Sequence, residues 1–203
     1  AASSNWTGRM PRIDAASIEE HVRVQTARIL DAATTLFQER GYRKTDMDDI
    51  AQAVGLARNS LYRYYRNKDF ILLACVERDM GAFIDRMGTL DSIYPDPVER
   101  IGAWLDMQMD MATSPAHATM EFMAEIRTDA PDLRKRLMEL HDAPGNVLAG
   151  AVAEIVRGKR RDTSLIIALI KGMVEAAAGH AIRRENKTAA KRELRRAVER
   201  VIE

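Results

Sequence analysis

The segment Thr45-Asp-Met-Asp-Asp-Ile-Ala-Gln-Ala-Val-Gly-Leu-Ala-Arg-Asn-Ser-Leu-Tyr-Arg-Tyr-Tyr-Arg-Asn-Lys-Asp69 decides the fold. Its first four residues have the Thr-x-x-acid form of a capping box, in which Thr45 satisfies an orphan amide and Asp48 reaches back. Ile50, Ala51 and Val54 follow as the buried face of a short helix. Gly55-Leu56-Ala57 interrupts it, and a second short helix is expected from about Arg58 to Tyr65. Two short helices around a turn containing glycine form a helix-turn-helix, whose second helix can enter the DNA major groove.

At 100° per residue, Leu61 and Tyr65 share the side that docks on the preceding helices, while Asn59, Ser60 and Arg63 project oppositely. Arginine can donate two hydrogen bonds to guanine and asparagine can pair bidentately with adenine, so these three are the candidate base readers. Arg58, Tyr62, Tyr64 and Lys68 offer cationic or hydroxyl donors to phosphates on the flanks, and Asn67 is placed to cap the next helix. Four cations and no acid lie between Arg58 and Lys68, a local field that the net charge of +1 on 203 residues conceals.

This segment resembles the DNA-binding signature of the tetracycline-repressor (TetR) family, most specifically in Leu-Tyr-Arg-Tyr-Tyr-Arg-Asn-Lys-Asp, residues 61–69. The resemblance spans about His21 to Leu73. It implies backbone contacts to DNA at Thr45, Tyr62, Tyr64 and Lys68, and a groove-facing surface at Arg58, Asn59, Ser60 and Arg63. Asp46 and Ala57 depart from the neutral residue and the hydroxyl cap common at those places, and Asn59 fills a position often held by a small residue.

Outward from this segment the sequence is helical in period and punctuated by Gly and Pro, which predicts an all-α protein of roughly nine helices. Residues 1–20 read as a flexible arm, 21–66 as the three-helix DNA-binding domain, and 67–203 as a larger effector-binding and dimerisation domain. The first helix carries Val22, Ile29, Leu30, Ala33, Leu36 and Phe37 on one stripe and ends at Gly41. In a helix begun by Pro97, Gln108 lies on the apolar side and either bonds a neighbouring helix or points into a cavity. Trp104, Met111, Met120, Phe122 and Met123 are candidates to line such a ligand pocket with it.

The stretch from Leu165 to Ile182 is apolar nearly all round and must bury two sides, and the last helix carries a single apolar stripe. Ile166, Ile170, Met173, Ala177, His180, Leu194, Val198 and Val201 are therefore the dimer-interface candidates, an arrangement the family resemblance also implies.

Composition bounds the alternatives. At 46% hydrophobic content the chain can build a real core, and its one cysteine, Cys75, excludes an internal disulfide framework and fits a reducing cytoplasm. No run of about 18 uninterrupted apolar residues suggests a membrane span. His21, His117, His141 and His180 are scattered and no nucleophile or phosphate-loop constellation accompanies them, so neither catalysis nor a cofactor is expected. His117, Glu121 and Glu125 are spaced for one metal ion but share a polar helix face, and no metal site is assigned. The expected partners are double-stranded operator DNA, a second copy of the chain and a small-molecule effector. The alternative is a DNA-binding regulator or architectural protein without an effector.

Overall fold

The computed structural model describes residues 15–126 and 130–203. Most of the arm expected at residues 1–20 lies outside them, but Ala15 onward is helical, so the first helix begins earlier than its apolar stripe suggests. Ten α-helices and one 3-10 turn occur among the described residues, two of the helices being four-residue turns, in keeping with an all-α fold of roughly nine.

The helix α1 (Ala15–Arg40) buries Ile29, Leu30, Ala33, Leu36 and Phe37, each such large side chain contributing roughly 1.5–3 kcal/mol. It stops where Gly41 takes the left-handed conformation and donates its N–H to Phe37 O at 2.9 Å. Val22, expected on the same stripe, is exposed. Helix α2 (Met47–Ala53) packs on α1 with Ile50 and Ala51 buried, and α3 (Arg58–Leu61) packs on α2 with Leu61 buried. Gly55, at φ +70°, makes the turn between them.

Helix α4 (Lys68–Met87) leads out of this small domain, with Asn67 Oδ1 accepting from the amides of Asp69 and Phe70 at its start. Its buried side, from Ile71 to Met87, packs on α1 at one end and on the larger domain at the other. That domain comprises α5 (Leu90–Ile93), α6 (Pro97–Ala112), α7 (Pro115–Glu121) running into a 3-10 turn (Phe122–Glu125), α8 (Pro131–Ile155), α9 (Thr163–Arg184) and α10 (Lys187–Ile202). Asp96 caps α6 ahead of a proline at its first position, as the sequence anticipates for Pro97.

Pro144-Gly145 reads as a break in sequence, yet α8 runs through both. Pro144 has no N–H to offer the Leu140 carbonyl, but Leu140, Leu148, Ala151 and Val152 are buried on either side and hold the helix together. The Trp104 indole N–H donates to Pro144 O at 2.7 Å, pinning α6 to this point of α8.

The interface candidates divide. Ile166, Ile170, Leu194 and Val198 are buried inside the protomer, where α9 packs on α10, α8 and α6, so they cannot form a surface for a second copy. Met173, Ala177 and Val201 are half-buried and His180 is exposed. The open apolar side of α9 is instead marked by Leu165 and Leu169, with Gly172, Ala176 and His180 continuing it at helical spacing. Although Lys171 and Glu175 interrupt it, α9 is long and apolar enough to cross a membrane by length and composition alone, a test that core helices also pass.

Candidate nucleic-acid interface

The residues around α3 are positioned by three fixings. At the start of α2, Asp46 is the cap: its carboxylate accepts from the amides of Asp48 and Asp49 at 2.8 and 2.9 Å, and the Asp49 carboxylate accepts from the Asp46 amide at 2.9 Å. The capping box is thus Asp46 with Asp49, one residue later than Thr45 with Asp48. These contacts, led by the Asp49 amide, hold the Asp46 carboxyl below its ordinary range.

Thr45 is fully buried, its hydroxyl donating to Gly41 O at 3.0 Å and Leu36 O at 3.4 Å. It therefore has no side-chain surface for DNA, and its place in the backbone-contact set is corrected to that of a core residue.

Lys68 is the second fixing. Its ammonium donates to Tyr42 O at 2.8 Å and Thr45 O at 2.9 Å and sits 4.3 Å from the centre of the Tyr42 ring. Beside it the Tyr42 hydroxyl donates to Asp69 Oδ1, and burial, reinforced by the Asp69 carboxylate, pushes the phenol far above its ordinary pKa. Two of the three ammonium protons of Lys68 thus bind the α1–α2 connection, a structural use that the expected phosphate contact did not include.

The third fixing is Arg58, whose Nη1 lies 2.6 Å from Asp48 Oδ2 and whose Nη2 donates to Tyr62 Oη at 3.3 Å. The bond to Tyr62, then the charge of Asp48, raises the guanidinium pKa. An acid from α2 therefore stands beside the surface that looks purely basic along the sequence from 58 to 68.

Helix α3 itself is one turn, ending at Leu61, and the chain continues through turns to Tyr64 rather than as helix to Tyr65. Ala57 supplies no side-chain cap. Leu61 is completely buried, which fixes the opposite side outward: Asn59 and Arg63 are exposed and make no side-chain hydrogen bond among the described residues, and Ser60 is half-exposed between them. Tyr62 is 41% exposed, whereas Tyr64 and Tyr65 pack partly against the core. Asn59, Ser60, Arg63 and Tyr62 thus form one accessible surface, flanked by the already paired Arg58.

Apart from the packing of α1 on α4, contacts among the described residues between this segment and the later helices include the following. Phe37 and Phe122 contact with ring centres 6.5 Å apart, Arg43 Nε lies 3.0 Å from Glu125 Oε2, and Arg66 approaches Asp132 at 3.9 Å. Glu125, one of the three residues with metal-like spacing, is thus engaged by Arg43, while His117 and Glu121 lie 3.7 Å apart.

Of the ligand-pocket candidates, Met120 and Met123 line a groove of about 460 Å³ between α7, its 3-10 extension and α8, together with Leu137, Met138 and Leu140. Phe122 turns to Phe37, Trp104 is buried against Pro144, and Met111 is half-buried near the end of α6, so these three do not line it. Gln108 is on α6 with its amide nitrogen buried and unpartnered.

Residues 29–75 match the family model described as bacterial regulatory proteins, tetR family. Among curated proteins, the chain is 24% identical over 152 residues to the fatty acid metabolism regulator protein of Bacillus subtilis, covering 75% of this chain and 78% of that one. It is 26% identical over 153 residues to an HTH-type transcriptional repressor of Mycobacterium tuberculosis, covering 68% and 80%. The fold is similar to that of the transcriptional regulator FadR from Bacillus subtilis, solved in complex with stearoyl-CoA: the TM-score is 0.64 at 22% identity, over 87% of this chain and 97% of that one.

Proposed function

We propose, for a chain that belongs to the tetR family of bacterial regulatory proteins and is a transcriptional regulator, that it is a repressor whose paired copies bind a palindromic operator and release it on taking up a small molecule. Each copy lays α3 into the major groove, where Arg63 and Asn59 read base edges and Ser60 and Tyr62 supply neighbouring polar contacts. Two-fold symmetry sets the half-sites about one helical turn, ~34–36 Å, apart or somewhat wider.

The observation that carries this reading is the exposed, unengaged state of Asn59 and Arg63 on a turn whose opposite side, Leu61, is wholly buried. Burial of Leu61 fixes the backbone of the turn, so both side chains start on the outer face with their donors free for a base edge, and it is their own rotamer freedom that binding costs. The second copy docks on α9 through Leu165, Leu169, Gly172, Ala176 and His180, where small residues allow close helix approach. Phe37–Phe122 and Arg43–Glu125 join the groove-forming α7 segment to the DNA-binding domain, so a ligand that displaces that segment changes the spacing of the two recognition turns. The groove favours this reading over an effector-free regulator. At 22% identity the likeness to a stearoyl-CoA complex concerns the fold, and that ligand is not carried over.

The test is fluorescence anisotropy on labelled duplex across a salt series. A specific, salt-sensitive complex that Arg63→Ala weakens supports the assignment, and wild-type affinity and selectivity in both Arg63→Ala and Asn59→Ala rejects it.

A further inference from the structure

The groove between α7 and α8 is lined by a set of soft donors that the effector reading does not use. Met120, Met123, Met138 and His141 all line it. They come as two pairs three residues apart, Met120 with Met123 where α7 runs into its 3-10 turn, and Met138 with His141 on α8. Residues three apart on a helix are surface neighbours, so each wall presents two donors to the space that all four line.

Two of the four have the setting of a ligand rather than of packing. Met138 is 59% exposed, a thioether left in solvent at the edge of an apolar groove. His141 Nδ1 lies 3.0 Å from Asp142 Oδ1. An ionised carboxylate only accepts, so Nδ1 carries the proton and Nε2 is the ring atom with the lone pair. A carboxylate behind an imidazole is the arrangement that orients metal-binding histidines and raises their basicity.

Charge and softness choose the ion. Among the charged residues lining the groove, Glu121 and Asp142 outnumber Arg134, which favours a cation. Neutral thioether sulfur suits soft copper(I), whereas zinc is held through thiolate, imidazole and carboxylate. Among the described residues no three His, Cys, Asp or Glu side chains are grouped to hold a metal ion. The thiol of Cys75 is buried, and burial pushes its pKa up to about 11, so it supplies no competing thiolate.

We infer that the α7–α8 groove is a metal site for a soft monovalent cation, copper(I), held by the sulfurs of Met120, Met123 and Met138 and by His141 Nε2. Methionine has three rotatable side-chain bonds, which lets the sulfurs converge on one ion within a groove of about 460 Å³. This goes beyond the effector reading, and it is measured without DNA.

The probe is silver(I), the redox-inert counterpart of copper(I), added as its nitrate to the full chain isotope-labelled at its methionine methyl groups. About one ion binds per chain. The methyl resonances of Met120, Met123 and Met138 and the ring resonances of His141 move together and saturate, while those of the buried Met80, Met87 and Met109 stay in place. Met138→Leu and His141→Gln each weaken binding by roughly 10-fold or more, with the melting temperature unchanged because both side chains are exposed. Copper(I), added anaerobically as its acetonitrile complex, reproduces the shifts, and zinc sulfate does not. Unmoved methyl groups at Met120, Met123 and Met138, shifts confined to the surroundings of Cys75, binding within twofold of wild type in both Met138→Leu and His141→Gln, or displacement of silver by zinc overturns the inference. Duplex anisotropy on the metal-free chain reports separately on the regulator reading.

Discussion

Arg58 and Asp48 form an ion pair, Nη1 to Oδ2 at 2.6 Å, between the recognition turn and the helix before it. The first cation of the basic segment is therefore engaged before DNA arrives. Asp48→Asn frees it and removes a negative charge from the approach surface. Duplex affinity should rise, and the slope of log K against log salt should steepen by about one phosphate contact, measured by anisotropy between low and moderate salt. An unchanged slope would mean that Arg58 stays with Tyr62 and never turns to the phosphates.

Lys68 and Arg63 should separate stability from recognition. Lys68→Met removes two hydrogen bonds to backbone carbonyls and a cation–ring contact, and should lower urea-unfolding stability by about 2 kcal/mol while leaving the salt slope of the folded protein nearly unchanged. Arg63→Ala should do the reverse, weakening operator binding with stability held within about 0.5 kcal/mol.

Thr45→Val keeps the shape but removes the hydroxyl donor of the Gly41 carbonyl and the longer contact to Leu36 O. A loss of about 1–3 kcal/mol in unfolding free energy is expected, and Thr45→Ser should recover most of it.

Asp46 links stability to pH. Its folded pKa lies below the unfolded value because the α2 amides, first that of Asp49, bond the ionised form. Its contribution is therefore fully present above the unfolded carboxylate range and lost as pH falls through the folded value. Asp46→Ala should melt below wild type at pH 7, and the gap should narrow steadily on acidification below about pH 4. A gap independent of pH would show that the carboxylate charge does not matter to the cap.

On α9, Leu169→Glu places a charge on the outer apolar strip without touching the buried Ile166–Ile170 side. Sedimentation should show monomers at concentrations where the wild type is paired, and operator affinity should drop with the loss of the second half-site.

Where the sequence is read correctly, a local rule and the tertiary structure agree. Gly41 and Gly55 have positive φ because turns demand it, Asn67 caps α4, and Leu61 must be buried if Asn59 and Arg63 face out. The misses arise where two local readings compete. In Thr-Asp-Met-Asp-Asp, residues 45–49, both Thr45 with Asp48 and Asp46 with Asp49 fit a capping box. Thr45 loses the cap because its hydroxyl finds buried carbonyls of the preceding turn, a fact of packing rather than of pattern. The Asp48–Arg58 pair likewise needs the angle between α2 and α3, which spacing does not encode. In α9, apolar nearly all round, the helical wheel has no contrast from which to tell Ile166 and Ile170, buried under α10, from Leu165 and Leu169, left open.

The most direct test of the central claim is selection of bound duplexes from random DNA by wild type, Asn59→Ala and Arg63→Ala. The wild-type motif is expected to be palindromic with two equal half-sites, and each variant to relax preference at one position, the same in both halves, with discrimination there falling by about 1–3 kcal/mol. A motif without two-fold symmetry, or one unchanged in both variants, would contradict it.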